Sequence, residues 1–386
     1  MLLTLLLFVL AILGHTTLWI SAINRLHARP WPEGRLRALR HVHEFCVVAF
    51  PPFLIATAGL WGPRLLVTNR WSEAGLGWFV LFTACWLGSV WLVYVSLRHW
   101  LGRTPSAQVG FQQHLVDVAF ELGERPIASG PYVNLARLPF NGQYRVEISS
   151  KTIQLLRLPQ ELDGLTIWHI SDWHFSGTLR REFYERIVLE MQRRPADLIL
   201  FTGDLIDNPA CLEWLDSTLE KLTATEGRYF ILGNHDWHHA SQQSRTQLVQ
   251  MGWRDLSSRV EVVSIRDCPI AMGGDETPWM GSKPDFSTVP DELFRLLLSH
   301  TPDNIQRARA MHIDLMLAGH THGGQVHLPF VGPVYSPSAY GCKYASGTFF
   351  EAPTLMHVSR GLAGIHPLRW RCPPEVTHLT LRAPSA

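Results

Sequence analysis

The sequence predicts an α/β domain preceded by an N-terminal transmembrane helical region. Apolar blocks long enough for membrane helices occupy most of the first 100 residues. From about Val146 onward, short apolar runs alternate with stretches of helical periodicity, as in layered α/β domains. Five of these runs end in Asp, Asn or His, and open α/β sheets bind ligands at such strand ends. We therefore divide the chain into a transmembrane region at 1–100, a connector at 101–145 and a C-terminal domain at 146–386.

The apolar blocks lie at 1–21, 45–61 and 75–97. A spanning helix needs about 20 mostly apolar residues, and the first and third blocks meet that requirement. No Lys or Arg precedes the first block, which favours a retained anchor over a cleaved signal peptide. The second block is shorter and contains Pro51 and Pro52. It either spans with a kink or is re-entrant, so we expect two or three membrane helices.

Arginines in the short loops predict the orientation, because Lys and Arg concentrate on the cytoplasmic side. Seven arginines lie between the first and second blocks or just after the third block, and these segments would share one side of the membrane if all three blocks span: Arg25, Arg29, Arg35, Arg37, Arg40, Arg98 and Arg103. The other side carries Arg64 and Arg70. If all three blocks span, the C-terminal domain is cytoplasmic; if the second does not, it faces the other way. The formal net charge of +1 gives no reason to expect a nucleic-acid partner.

Within the connector, the stretch FQQHLVDVAFEL has helical periodicity. A helix would place its apolar residues on one face: Phe111, Leu115, Val118, Ala119 and Leu122. Membrane-surface helices usually carry Lys or Arg on the polar face, whereas this stretch has Asp117 and Glu121. We therefore expect a helix here that packs on the protein.

Five apolar runs predict the buried strands of the C-terminal domain: LTIWHIS, DLILFTG, YFILG, LFRLLLS and IDLMLAG. Two sets of apolar residues recur between them at helical spacing: Phe183, Ile187 and Met191, and then Leu212, Leu215, Leu219 and Leu222. Strands that alternate with helices predict an α/β domain.

The residues that follow these strands are of the types that bind metal ions: Asp172, His174, Asp204, Asn234, His235, Asp236, His300, His320 and His322. Singly, each has an ordinary explanation as a turn former or a hydrogen-bonded histidine. Their repeated position at strand ends instead predicts one metal-binding rim with nitrogen and oxygen ligands, a set that suits Mn, Fe or Zn.

The ordered blocks SDWHFSG, FTGDLID, LGNHDWH, LLLSHTPD and AGHTHGGQV resemble the motifs of the calcineurin-like metallophosphoesterase family. The ending LRWRCPPEVTHLTL is similar to that of its membrane-associated bacterial branch, which includes phosphodiesterases. The resemblance implies a four-layer α/β/β/α sandwich, with 146–386 as the catalytic domain, and two divalent metal ions. One ion would be held by Asp172, His174 and His322, the other by Asn234, His300 and His320, with Asp204 between them.

The resemblance also implies a hydrolytic mechanism, in which a metal-bound hydroxide attacks phosphorus. His235 would protonate the leaving group, with Asp236 orienting the His235 ring; alternatively, His235 only supports the metal site. Asp207 either supports the site or caps the next helix. The effect of Trp173 inside the first motif stays open.

The implied function is that of a membrane-anchored phosphohydrolase, a phosphodiesterase acting on a lipid-linked or nucleotide-linked phosphate. The family also contains pyrophosphatases that act on UDP-2,3-diacylglucosamine, and a non-catalytic metal-binding membrane scaffold is a further alternative. The loop at 273–290 contains Trp279, Met280 and Phe286. It either contacts an acyl chain of such a substrate or is tucked against the domain.

Overall fold

The computed structural model describes residues 1–384, which form two compact units. The helical unit consists of Met1–Gly102 together with Leu328–Lys343, and the sandwich unit consists of Arg103–His327 and the described residues from Tyr344 onward. The helical unit therefore includes a segment that the sequence places deep inside the C-terminal domain.

The helical unit contains α1 (Leu2–His27), α2 (Glu33–Leu54), α3 (Leu65–Thr68) and α4 (Leu76–Leu101). Helix α2 contains Pro51 and Pro52 near its C-terminal end. It continues without a break into a π-helix at Ile55–Trp61. This continuous stretch of 29 residues, like α1 and α4, is long and apolar enough to cross a membrane. Such a length favours the spanning interpretation of the second apolar block.

Helices α1 and α4 run parallel and in close contact. The Trp86 indole donates to the Leu7 carbonyl at 3.0 Å, and the backbones approach most closely at Gly14 and Gly88, where a Cβ would overlap the facing helix. Small residues permit such packing between apolar helices. Helix α2 runs antiparallel to α1, with the His15 ring stacked on Phe50 at 3.6 Å. The C-terminal ends of α1 and α4 consequently lie at the same end of the unit.

The sandwich unit contains two mixed sheets. One has seven strands in the order β1-β2-β15-β3-β4-β5-β6, and the other has six in the order β13-β14-β10-β9-β8-β7. The strands of the first are β1 (Gln108–Asp117), β2 (Arg145–Gln154), β3 (Thr166–Ile170), β4 (Leu198–Thr202), β5 (Gly227–Ile231), β6 (Arg254–Asp255) and β15 (Glu375–Arg382). Those of the second are β7 (Val260–Ile265), β8 (Cys268–Asp275), β9 (Phe294–Ser299), β10 (Leu315–Ala318), β13 (Gly347–Glu351) and β14 (Thr354–Val358). A two-stranded ladder joins β11 (His327–Leu328) to β12 (Gly332–Pro333).

Helices cover these sheets: α5 (Val118–Glu121), α6 (Val133–Ala136), α7 (Arg181–Gln192), α8 (Asn234–His239), α9 (Ser241–Gln250) and α10 (Ile305–Ala310). One apolar core joins residues of both sheets, among them Leu200 and Leu298, and a second joins α7 to the outer side of the seven-stranded sheet through Phe183 and Ile187. The α/β prediction is confirmed, and the five predicted strands are β3, β4, β5, β9 and β10. The leucines from 212 onward lie in and just after 3-10 helices rather than in an α-helix.

The helix predicted across 111–122 is wrong. Residues Gln108–Asp117 form β1, which pairs antiparallel with β2, and only Val118–Glu121 is helical. Most side chains of β1 are exposed, Phe111 and Leu115 among them. The strand therefore lacks the alternation of buried and exposed residues that identifies a strand in a sequence, and the backbone ladder to β2 fixes its conformation instead.

Candidate metal centre

The carboxyl ends of five strands supply the side chains that were predicted to bind metal. Strands β3, β4 and β5 are parallel neighbours in one sheet, and β9 and β10 are parallel neighbours in the other. The potential ligand atoms fall into three groups, the atoms of each lying within 4.8 Å of one another, and one group consists of His174, Asp207 and His235. The other two groups contain predicted ligands only: Asp172, His174, Asp204 and His322, and then Asp204, His300 and His320. Asp204 belongs to both, and the Asn234 amide oxygen lies 3.1 Å from His300 Nε2.

The backbone at these strand ends is unusual. Positive φ angles occur at five of the seven predicted ligands: Asp172, His174, Asp204, His320 and His322. Residues other than glycine seldom adopt this left-handed conformation, and it concentrates at functional sites. Glycines beside the ligands permit the close approach, since a Cβ on Gly233 would overlap the Asp204 carboxylate and one on Gly319 would overlap Asp172. The turns are therefore shaped to direct side chains inward.

Three histidines share one hydrogen-bonding pattern. His174 Nδ1 lies 3.0 Å from the Asp207 carboxylate, His300 Nδ1 lies 2.8 Å from the Thr202 carbonyl, and His322 Nδ1 lies 3.1 Å from the Ala363 carbonyl. Because each partner only accepts, each Nδ1 carries a proton, and this contact fixes the orientation of each ring. Metal-binding histidines are typically oriented in this way.

The donor atoms at the centre fit cations. His174 Nε2 and Asp204 Oδ2 are buried, have no hydrogen-bond partner among residues 1–384, and lie 3.5 Å apart. The same Asp204 oxygen lies 3.3 Å from His300 Nε2, which also lies 3.1 Å from the Asn234 amide oxygen. Buried acceptors that face one another are costly unless a cation or proton lies between them. The donor set is entirely nitrogen and oxygen, which suits Mn, Fe or Zn.

Asp207, rather than Asp236, contacts the ring of His235. The Asp207 carboxylate lies 2.5 Å from His235 Nδ1 and also holds His174. Burial alone would lower the pKa of His235, but Asp207 and Asp204 outweigh it and raise this pKa to about 10. The Asp236 carboxylate instead accepts from backbone amides at Gly233, Asp204, Leu205 and Ile206. Asp236 thus ties two loops together, which differs from the expectation that it orients the imidazole.

Aromatic residues near the centre are mostly tucked into the protein. The Trp279 ring lies 4.7 Å from His320 and 5.5 Å from His300, measured between ring centroids. Trp279 is 7% exposed and Phe286 is 1% exposed, which favours the tucked interpretation of this loop over a contact with an acyl chain. Trp173 is fully buried and stacks on Tyr184 in the core under α7, so its side chain packs within that core.

Arg369 is a supporting residue that the sequence did not reveal. Its guanidinium is buried and donates to the carbonyls of His322 at 2.8 Å, Ala363 at 2.7 Å and Arg360 at 2.9 Å. Two of these contacts fix His322. One is with the backbone carbonyl of His322 itself, and the other is with the Ala363 carbonyl that orients its ring. The residue lies in the stretch LRWRC, 47 positions from His322, and no local pattern marks its role.

Comparisons with known proteins agree with this geometry. Residues 165–324 match the family model described as calcineurin-like phosphoesterase. The chain is 33% identical to the uncharacterized metallophosphoesterase YkuE of Bacillus subtilis, over 62% of this chain and 87% of that protein. It is 29% identical to phosphodiesterase YaeI of Escherichia coli, over 56% of this chain and 81% of that protein. A Bos taurus transmembrane protein with a metallophosphoesterase domain is 24% identical over 97% of this chain and 87% of its own length.

Proposed function

The chain belongs to the calcineurin-like metallophosphoesterase family, whose members hydrolyse phosphate esters, and from that premise we propose that it is a membrane-anchored phosphodiesterase with two divalent cations that acts on a lipid-linked phosphate. Asp172, His174 and His322 would hold one cation. Asn234, His300 and His320 would hold the other, with the Asp204 carboxylate between them.

Two bound divalent cations would withdraw charge from phosphoryl oxygens and make a water molecule acidic enough to react near neutral pH. The protein supplies the position of the phosphate and a proton for the leaving group. We assign the supply of this proton to His235, which is held by Asp207.

His235 is the group we assign to protonation of the leaving oxygen. Its Nδ1 is engaged by Asp207 at 2.5 Å, so its Nε2–H is the remaining donor of the imidazolium. The Asp207 carboxylate raises the pKa of His235, which favours the protonated ring. Transfer of this proton to the departing oxygen lets the alcohol leave as a neutral molecule, an effect typically worth about 10²–10⁴ in rate.

The observation that carries the proposal is the pairing of His174 Nε2 with Asp204 Oδ2, two buried atoms with no hydrogen-bond partner in the described part of the chain. The lipid part rests on the three helices that are long and apolar enough to span. Similarity to a protein called a phosphodiesterase supports the phosphodiesterase assignment, and similarity to one described as a transmembrane protein supports the membrane anchor.

Hydrolysis by the full chain in lipid nanodiscs tests the proposal. We expect metal-stripped protein to cleave bis-p-nitrophenyl phosphate only after Mn²⁺ is added, and EDTA to abolish the reaction. Asp204→Asn should be inactive, whereas Asp216→Asn, at an exposed position outside the site, should keep full activity. Absence of metal-dependent hydrolysis in the wild-type chain would contradict the proposal.

A second set of assays separates the substrates. Extracted phospholipids, a UDP-linked diacylated sugar and a water-soluble nucleotide diester would each be supplied to the nanodisc-bound protein. A lipid-linked phosphodiester should be cleaved with the highest kcat/KM. Preference for the water-soluble diester would overturn the lipid assignment while leaving the phosphodiesterase assignment intact.

A further inference from the structure

The segment Leu328–Lys343, which we call the strap, has the composition of a membrane-interface element. Its sixteen residues, LPFVGPVYSPSAYGCK, contain a single Lys or Arg and no Asp or Glu. The strap begins six residues after His322, yet it belongs to the helical unit. The strap packs with the candidate membrane helices, so its apolar composition does not come from covering the core of the sandwich unit.

Helix α1 holds the middle of the strap through Asn24. The Asn24 side chain is 2% exposed; it donates to the Val334 carbonyl at 3.1 Å and accepts from the Ser336 amide at 3.1 Å. A buried amide in an apolar helix is costly unless both of its polar groups are satisfied, and the strap satisfies both. The ring of Tyr335 also packs edge-on against His27 in the last turn of α1.

Helix α4 holds the start of the strap. The Trp100 indole donates to the Phe330 carbonyl at 2.8 Å. Gly332 has a φ of +82°, and a Cβ there would overlap the His99 ring in the last turn of α4. The strap backbone is therefore fixed against the C-terminal ends of both helices.

These helix ends have the composition of a membrane–water boundary. Arg25 lies in the last turn of α1 and Arg98 in the last turn of α4, and Trp100 is 61% exposed beside Arg98. Tryptophan and basic residues concentrate at the headgroup level of membranes. The strap is thus held at the depth where lipid headgroups meet the ends of α1 and α4.

The outer side of the strap is apolar and exposed. Phe330 is 85% exposed and Leu328 is 42% exposed. Along α4, the exposed side chains of Val93, Leu97 and Leu101 lead toward the same end. Since those α4 side chains would face lipid in a spanning helix, lipid is also the partner that fits Phe330.

We propose that the strap is a lipid-binding surface that lies in the headgroup layer beside α1 and α4, with the Phe330 side chain inserted among the acyl chains. The proposal requires α1 and α4 to cross a membrane but does not depend on the proposed hydrolytic activity.

Fluorescence quenching in nanodiscs measures the insertion directly. An environment-sensitive fluorescent amino acid replaces Phe330 in the full chain, and the nanodiscs contain phosphatidylcholine with brominated acyl chains. We expect severalfold quenching at this position. The matched control carries the same label at Leu156, which is equally exposed at 85% but lies in the sandwich unit, and it should keep its intensity. Unquenched fluorescence at 330, or equal quenching at both positions, would overturn the proposal.

Two glycine variants test how the strap is held. Gly332→Ala should displace the strap from His99 and reduce quenching of the label at 330 by at least half. Gly341→Ala is the matched control and should leave the quenching unchanged. Gly341 also has a positive φ in the strap, but among the described residues no atom beyond its own chain neighbours lies within 4 Å of its Cβ position. Photocrosslinking from a benzoylphenylalanine at 330 identifies the contact, and crosslinks to a second protein rather than to lipid would overturn the proposal.

Discussion

Asp207 and His235 are joined by a hydrogen bond of 2.5 Å between Oδ1 and Nδ1. The same carboxylate holds His174 Nδ1 at 3.0 Å through its other oxygen. One buried side chain therefore orients both a predicted metal ligand and the predicted proton donor. Burial would raise the pKa of Asp207, but His174 and His235 outweigh it and hold that pKa well below its usual range.

This arrangement predicts a dependence on the leaving group. Asp207→Asn should slow hydrolysis of an alkyl phosphodiester by about 10²–10⁴, because the His235 imidazolium loses its carboxylate partner. A p-nitrophenyl ester should be affected far less, since p-nitrophenolate leaves with little help from a proton. His235→Ala should give the same contrast with near-normal metal content. The rates are compared at saturating Mn²⁺, and equal losses on both substrates would remove His235 from the role of acid.

Asp204→Asn should remove both metals together. Asp204 Oδ2 lies 3.5 Å from His174 Nε2 and 3.3 Å from His300 Nε2, so one oxygen serves both groups of ligands. We expect elemental analysis to show loss of metal from both sites and no measurable turnover. A variant that retains two metals per chain and full activity would exclude a bridging role.

Arg369→Met should weaken the metal site that contains His322. Without the guanidinium, the carbonyls of His322 and Ala363 lose a shared donor, and the ring of His322 loses its fixed orientation. Loss of such orienting contacts typically lowers metal affinity about 10–100-fold. Titration with Co²⁺, followed by visible absorption, measures the affinity. Arg371→Met, at an exposed position two residues away, is the control and should titrate like the wild type.

Glu375 should stabilise the sandwich unit in a pH-dependent manner. Burial would raise its pKa, but Arg360 and Lys151 outweigh it and hold this pKa well below the usual range. The stabilisation is therefore complete above the unfolded-state pKa of about 4.3 and is lost as the pH falls further. Glu375→Gln leaves Lys151 and Arg360 without this partner and should cost roughly 3–5 kcal/mol at pH 7.

Denaturant unfolding of the detergent-solubilised chain at several pH values measures this effect. The difference in free energy of unfolding between the wild type and Glu375→Gln should shrink as the pH falls below about 4. A difference that stays constant from pH 7 to pH 3 would show that the ionised carboxylate is not the source of the stability.

A reporter fused after residue 386 should show a cytoplasmic location. We infer this orientation from three spanning helices and from the arginines, seven of which lie on the predicted inner side against two on the outer side. Enzymatic and fluorescent reporters that work only in one compartment provide the readout. A signal from outside the cytoplasm would mean that the second apolar block does not span or that the first is cleaved.

Sequence reasoning located the strands that carry the site because each combines a buried apolar run with a polar end, as in β4 and Asp204. It failed at β1, where the exposed side chains carry no periodic signal and pairing with β2 determines the conformation. The sequence also did not decide between the two roles considered for Asp207, and it gave no sign that Arg369 supports the metal site. Their roles depend on contacts with residues 28 and 47 positions away, which become visible only once the loops are brought together.

The contact between Asn24 and Val334 spans 310 residues, and this separation has a consequence for biosynthesis. Translation at about 5–20 residues per second needs about 15–60 s to make the partner after Asn24 has been made. During that interval the buried amide of α1 lacks its final hydrogen bonds, although the rest of the helix has already left the ribosome. The bundle can therefore reach its final form only after nearly the whole polypeptide has been synthesised, and a nascent chain that stalls before residue 334 would leave the Asn24 amide without these partners.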